Sequence, residues 1–181
     1  MKEIKRNSKY DTAHTKRFQK TLNFMDDLNL KSLNILNLGP ENPLTDILIE
    51  EGYKVTNTGA NQDLDLEFEV VKNEEFDAVV GFEILEHLVS PFPLLNAISA
   101  KKLVISVPLA LWFSKAYWNE KDPYDRHYHE FEPRQLEMLL DKAGWKIVKE
   151  HKHTNTGFNI GIRPILRMFT PRHYFVYCER K

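Results

Sequence analysis

Residues 33–52 read LNILNLGPENPLTDILIEEG. LNIL (33–36) is a short apolar run and LTDILIEEG (44–52) a short amphipathic one, with NLGPENP (37–43) between them. Asn42 followed by Pro43 is a good helix start, an N-cap and then proline in the first turn. Gly52 stands where a helix C-terminus favours glycine. A strand that turns straight into a helix opens an α/β sheet, and such a turn often holds a nucleotide-like cofactor. Turns of that kind usually carry several glycines. Here Gly39 is followed by Pro40, Glu41 and Pro43.

The flanking sequence repeats the alternation. Phe18, Leu22, Met25 and Leu28 lie at helical spacing, predicting an amphipathic helix over 12–29. YKVTNT (53–58) reads as a second strand, and DLDLEFEVV (63–71) as a short third strand or an extended loop. FDAVVGF (76–82) reads as a buried strand, followed by helix in EILEHLVS and PLLNAIS. KKLVISVPL (101–109) is a further strand, and a loop rich in aromatic and charged residues covers 110–131. EPRQLEMLLDKAGW (132–145) predicts a helix closed by Gly144, and KIVKEHKHT and RHYFVYCER predict two last strands. The pattern is that of a doubly wound, mostly parallel sheet ending in an antiparallel pair. In such a sheet ligands bind beyond the carboxyl ends of the strands, so NLGPENP and GFEILEH should face one crevice.

The 181 residues fit one domain, read as 1–181 with a helix within 1–30 and the core in 31–181. A formal charge of −1 gives no general attraction to nucleic acid or anionic membranes. The single cysteine, Cys178, excludes an internal disulfide and fits a reducing cytoplasm. No run approaches the ~18 apolar residues of a membrane span, and MKEIKRNSKY lacks the apolar segment of a signal peptide.

FDAVVGFEILEHLVSP (76–91), LVISVP (103–108) and RHYHEFEPRQLEMLLDKAGWKIV (126–148) together resemble the class I S-adenosylmethionine-dependent methyltransferases. The resemblance is to the small type with an EHL segment, similar to the ubiquinone-pathway O-methyltransferases. It implies an α/β, doubly wound, seven-stranded Rossmann-like sheet of order 3-2-1-4-5-7-6, with the last pair antiparallel. It further implies S-adenosylmethionine as cofactor. Gly39, Pro40 and Glu41 would lie at its methionine end, Gly59 at the ribose, Asp65 and Leu66 at the adenine, and Gly81 and Phe82 beneath the sulfonium or sugar.

Two departures from that family's pattern stand out. Glu41 and Pro43 occupy positions usually held by glycine, and Gly59 falls where an acid usually accepts both ribose hydroxyls. Each lost contact to a charged group is worth ~1.5–3 kcal/mol. Losing two would move a micromolar affinity towards millimolar.

Glu83, Glu86 and His87 are spaced to share one helical face. With a later histidine they are similar to the metal-binding set of ubiquinone-pathway O-methyltransferases and of small-RNA 2′-O-methyltransferases. The candidate metal ligands are therefore Glu83, Glu86, His87 and His127, for Mg²⁺, Mn²⁺ or Zn²⁺. EHL also occurs in relatives without metal, where the acid caps the helix. His87 and His127 are the candidate catalytic bases, and His127 is preferred to His129 for the crevice. His151 and His153 read as a solvated strand face. Trp112, Phe113, Tyr117, Trp118 and Tyr124 form either a packed lid or an aromatic wall for an acceptor. Lys152, Arg163, Arg167 and Arg172 read as a solvated tail.

The expected protein is a cytoplasmic methyltransferase acting on a small or medium-sized acceptor, through oxygen, with no membrane partner and nothing that favours nucleic acid. Two alternatives stay open: a non-catalytic relic that binds another ligand or a protein, and an RNA 2′-O-methyltransferase.

Overall fold

Strand β1 (Asn34–Asn37) leads into helix α2 (Pro43–Glu50) and then strand β2 (Lys54–Asn57) in the computed structural model, which describes residues 12–122, 125–154, 166 and 169–181. The start of α2 is set by Asn42, whose side chain accepts the backbone N–H groups of Leu44 (3.0 Å) and Thr45 (3.3 Å). The Asn42 N–H donates in return to the Thr45 hydroxyl at 3.0 Å, completing a capping box. The inner face of α2 buries Leu44 and Leu48, each worth roughly 1.5–3 kcal/mol over an exposed position.

Helix α1 spans Thr12–Asp26, β3 Ala78–Phe82, α3 Pro91–Ala97, β4 Lys102–Pro108, α4 Pro133–Lys142, β5 Trp145–His153 and β6 His173–Arg180. The sheet runs β2-β1-β3-β4-β6-β5. The first four strands in that order are mutually parallel, and β6 is antiparallel to both its neighbours. Successive side chains of a strand face opposite sides, so the sheet carries a core on each face. Ile35, Ala78, Val80, Val104 and Phe175 meet α1 and α2 through Phe18, Leu22, Met25 and Leu48. Leu36, Val79, Leu103, Ile105 and Val176 meet α3 and α4 through Leu94, Leu95, Leu136 and Leu140. Cys178 is buried in the second core, and desolvation pushes its thiol up to about 12.

The expected strand order is reproduced without its outermost member, giving six strands among the described residues rather than seven. Residues 63–71 make turns instead. The Asp63 carboxylate accepts the N–H of Asp65 at 3.0 Å, and its carbonyl accepts Leu66 and Glu67, before a short 3-10 turn at Glu69–Lys72. A short acidic side chain that bonds to the backbone two residues on competes with a strand ladder, and here it wins.

The second correction concerns EILEHLVS, which is not an α-helix. Glu83 has φ +57°, Leu85–His87 is a single 3-10 turn, and Leu88 is extended. Pro91 disfavours helix at Ser90, so α3 begins only at the proline.

Candidate active site

A cleft of about 940 Å³ opens over the carboxyl ends of β1, β3 and β4. Its floor includes Asn37, Leu38, Phe82, Glu83 and Ser106, and α1 walls one side with His14, Arg17 and Phe18. Leu109, Lys115, Tyr117 and His127 close the opposite side. That volume suits a nucleoside-sized ligand together with a small acceptor.

The first turn is tied to the end of β2. Gly39 has φ +107°, open to glycine and rarely to other residues, and its N–H donates to the Thr58 hydroxyl at 2.7 Å. Thr58 N–H donates to the Asn37 carbonyl at 3.0 Å, and the Asn37 amide donates to Asn57 Oδ1 at 3.0 Å. A β-carbon at Gly39 would stand 3.1 Å from Ile84 Cδ1, so Ile84 caps the turn.

Of the residues expected to hold the cofactor, Pro40 and Phe82 line the cleft. Gly39 lies in the turn beneath Ile84, and Gly81 is buried against Leu38. Glu41 and Gly59 are exposed, and Leu66 is 79% exposed. Asp65 staples two loops, its carboxylate accepting the N–H groups of Val89 and Ser90 at 2.8 Å each.

The acids part company because Glu83 is not on a helix. Its carboxylate reaches sideways, accepting the Ser106 hydroxyl at 2.8 Å and His173 Nδ1–H at 3.1 Å, with Arg17 at 3.8 Å. Burial works against its charge, but the His173 bond, Arg17 and Ser106 outweigh it and hold the carboxyl below its usual range. Glu86 is 1% exposed, and its Oε2 has no hydrogen-bond partner. Burial, helped by the Glu83 charge, raises its carboxyl well above the usual range. His87 Nδ1 donates to the Arg126 carbonyl at 3.1 Å, which leaves Nε2 3.9 Å from Glu86 Oε1. His127 stands edge-on to His87 at 5.0 Å between ring centres, with Nδ1 buried and unpartnered. Burial, then the neighbouring His87, depresses its imidazole, so the ring is neutral at pH 7.

Glu86, His87 and His127 thus offer ligand atoms all within 4.8 Å of one another, and Glu83 stands apart from them. His129 turns away, its Nε2 3.1 Å from the Val89 carbonyl. Tyr117 lines the cleft, whereas Trp112 is 79% exposed and Trp118 carries Arg126 over its ring at 4.6 Å. Tyr124, Arg163 and Arg167 lie outside the described residues.

His153 corrects the reading of a solvated strand face. It is buried, stacked on His173 at 5.0 Å and on Phe175 at 5.3 Å, whereas His151 is exposed. Lys152 pairs with Glu150 at 3.6 Å. Sequence reasoning also missed Arg17, Ser106 and His173. A signal for the last existed: a strand antiparallel to β4 begins beside the carboxyl end of β4, and Pro108 pairs with His173.

A doubly wound sheet with a deep cleft at its switch point defines an α/β protein of the nucleotide-cofactor class. The sequence matches the Methyltransferase domain family over residues 10–150, and the chain belongs to that family, that of S-adenosylmethionine-dependent methyltransferases. An S-adenosylmethionine-dependent methyltransferase from Mesorhizobium loti shares the fold at TM-score 0.62 and 15% identity, over 93% of this chain and 98% of that one. One from Archaeoglobus fulgidus does so at TM-score 0.60 and 17% identity, over 91% and 94%. Magnesium protoporphyrin IX methyltransferase of Synechocystis, with bound SAH, reaches TM-score 0.56 at 13% identity, over 93% and 84%. No curated protein matches the chain. Among the described residues no helix is long and apolar enough to cross a membrane.

Proposed function

We propose that the chain transfers the methyl group of S-adenosylmethionine to an oxygen of a small or medium-sized acceptor held between α1 and the side of the cleft lined by Leu109, Lys115, Tyr117 and His127. The observation that carries this reading is the pair of buried, unpartnered polar atoms in the cleft wall, Glu86 Oε2 and His127 Nδ1. A buried polar atom without a partner is costly, and a second polar group of the acceptor, anchored between these two atoms, would satisfy both and hold the reacting hydroxyl in the cleft. Methyl transfer then needs the acceptor in line with the sulfonium and its proton removed. Leu109, Leu111 and Tyr117 would flank the acceptor's apolar part. The test is incubation with methyl-labelled S-adenosylmethionine and a panel of phenols, aliphatic alcohols, amines and thiols. Alkali-stable ether label is expected; label only in amines or thiols would contradict the oxygen assignment.

The same three side chains support a second reading, a divalent cation on Glu86, His87 and His127. Their spacing within 4.8 Å and the orphaned Glu86 Oε2 and His127 Nδ1 fit such an ion, and one carboxylate with two imidazoles suits Mg²⁺, Mn²⁺ or Zn²⁺. When bound, the ion would act as a Lewis acid on the acceptor oxygen. Metal content that falls in Glu86→Gln supports this reading; content unchanged by it removes it.

A further inference from the structure

We propose that His173, held by Glu83, takes the acceptor's proton during methyl transfer, in place of the expected His87 or His127. This rests on the methyltransferase reading and names the group that completes its chemistry.

The argument begins with Glu83. It leaves β3 with φ +57°, a conformation that non-glycine residues avoid and that clusters at functional sites. Its carboxylate then collects two hydrogen-bond donors and a cation from three elements: Ser106 on β4, His173 on β6 and, as an ion pair at 3.8 Å, Arg17 on α1. A side chain that served only to pack would need none of these. The arrangement keeps one ionised carboxylate on one nitrogen of one cleft histidine.

That hydrogen bond decides what His173 can do. The carboxylate accepts, so Nδ1 carries the proton and the lone pair of the neutral ring stands on Nε2. His173 lines the cleft, and with Nδ1 occupied Nε2 is the nitrogen left for a ligand. A carboxylate so placed fixes the tautomer and stabilises the imidazolium that forms. His87 and His127 lack this support. His87 gives its Nδ1 proton to a backbone carbonyl, and the carboxylate nearest His127, that of Glu130, is 3.9 Å away. On the far side of His173, the ring of His153 lies nearly parallel, at 15°, and fixes the plane of the base.

The step balances as follows. The acceptor oxygen bonds to the methyl carbon as the carbon–sulfur bond breaks and its electron pair returns to sulfur. The sulfonium becomes the neutral thioether of S-adenosylhomocysteine. The hydroxyl proton passes to His173 Nε2, Glu83 carries the counter-charge, and the imidazolium releases the proton to solvent. His173 is then a catalytic residue and Glu83 a positioning residue.

Nitrogen-15 NMR of the histidine-labelled full chain, with saturating S-adenosylhomocysteine, tests this without knowledge of the acceptor. At pH 8 His173 is expected with Nδ1 protonated and Nε2 bare. Glu83→Gln is expected to lose or invert that tautomer, because an amide can offer N–H to Nδ1 where the carboxylate cannot. Before S-adenosylhomocysteine is added, diethyl pyrocarbonate should modify His173 at Nε2. An Nε2–H tautomer in the wild-type chain, an unchanged tautomer in Glu83→Gln, or an Nε2 that the reagent does not reach would each overturn the proposal. The wild-type spectrum decides even if Glu83→Gln fails to fold. The expected tautomer with no S-adenosylhomocysteine affinity would contradict the methyltransferase reading, whereas affinity with the wrong tautomer would sink His173 alone.

Discussion

His153 shows how one buried ring can set the acid stability of the chain. Desolvation, helped by Lys20 of α1, His173 of β6 and His151 of β5, pushes its imidazole down to about 3, against a smaller opposing pull from Glu83. The unfolded chain binds a proton at His153 near pH 6.5 and the folded chain does not, so this contribution is complete above that pH and is lost as the pH falls towards 3. Between pH 7 and pH 5 the loss is about 2 kcal/mol. Urea unfolding at the two pH values should show it in the wild-type chain and not in His153→Phe; parallel curves would contradict it. HKH at 151–153 gave no warning, because strand alternation says which residues share a face and not what covers that face. The cover comes from α1, where Lys20 Nζ donates to the Thr154 carbonyl at 3.0 Å. At Gly39, alanine would meet both a left-handed φ and the methyl of Ile84 at 3.1 Å. Gly39→Ala is expected to cost about 1–3 kcal/mol, read from the midpoint of chemical unfolding.

Elements were legible wherever local signals and tertiary packing agreed. Asn42-Pro43 marked the start of α2, and the structure shows the full capping box there. Asn42→Ala is expected to destabilise the chain by about 1 kcal/mol, measured by thermal melting. The misread stretches are those where side chains bond to nearby backbone. Asp63 folds 63–67 into turns, and Asp65 anchors the amides of Val89 and Ser90 across the sequence. The second link has no signature in either stretch alone. Asp65→Ala should cost about 1 kcal/mol, and hydrogen exchange at Val89 and Ser90 should quicken locally. Unchanged exchange there would show that the staple carries nothing. The E-x-x-E-H spacing likewise promised one helical face, but the left-handed Glu83 sends one carboxylate to β6 and leaves the other beside His87 and His127.

Across the whole molecule, alternation of strand and helix was enough to place the cleft, since β1 and β3 are adjacent and parallel with NLGPENP and GFEILEH at their carboxyl ends. The wall from α1 was not visible that way, because Arg17 and His14 join the site only once the helix packs across the sheet. Glu41 and Gly59 are exposed and do not line the cleft, so a nucleoside bound there would lean on Pro40, Phe82 and the α1 wall. Isothermal titration of the chain with S-adenosylhomocysteine is the most direct check on a methyltransferase cleft at this switch point. Saturable one-to-one binding, with a dissociation constant between micromolar and millimolar, is expected. No heat at millimolar ligand would contradict it and favour a methyltransferase fold kept for another ligand or a protein partner.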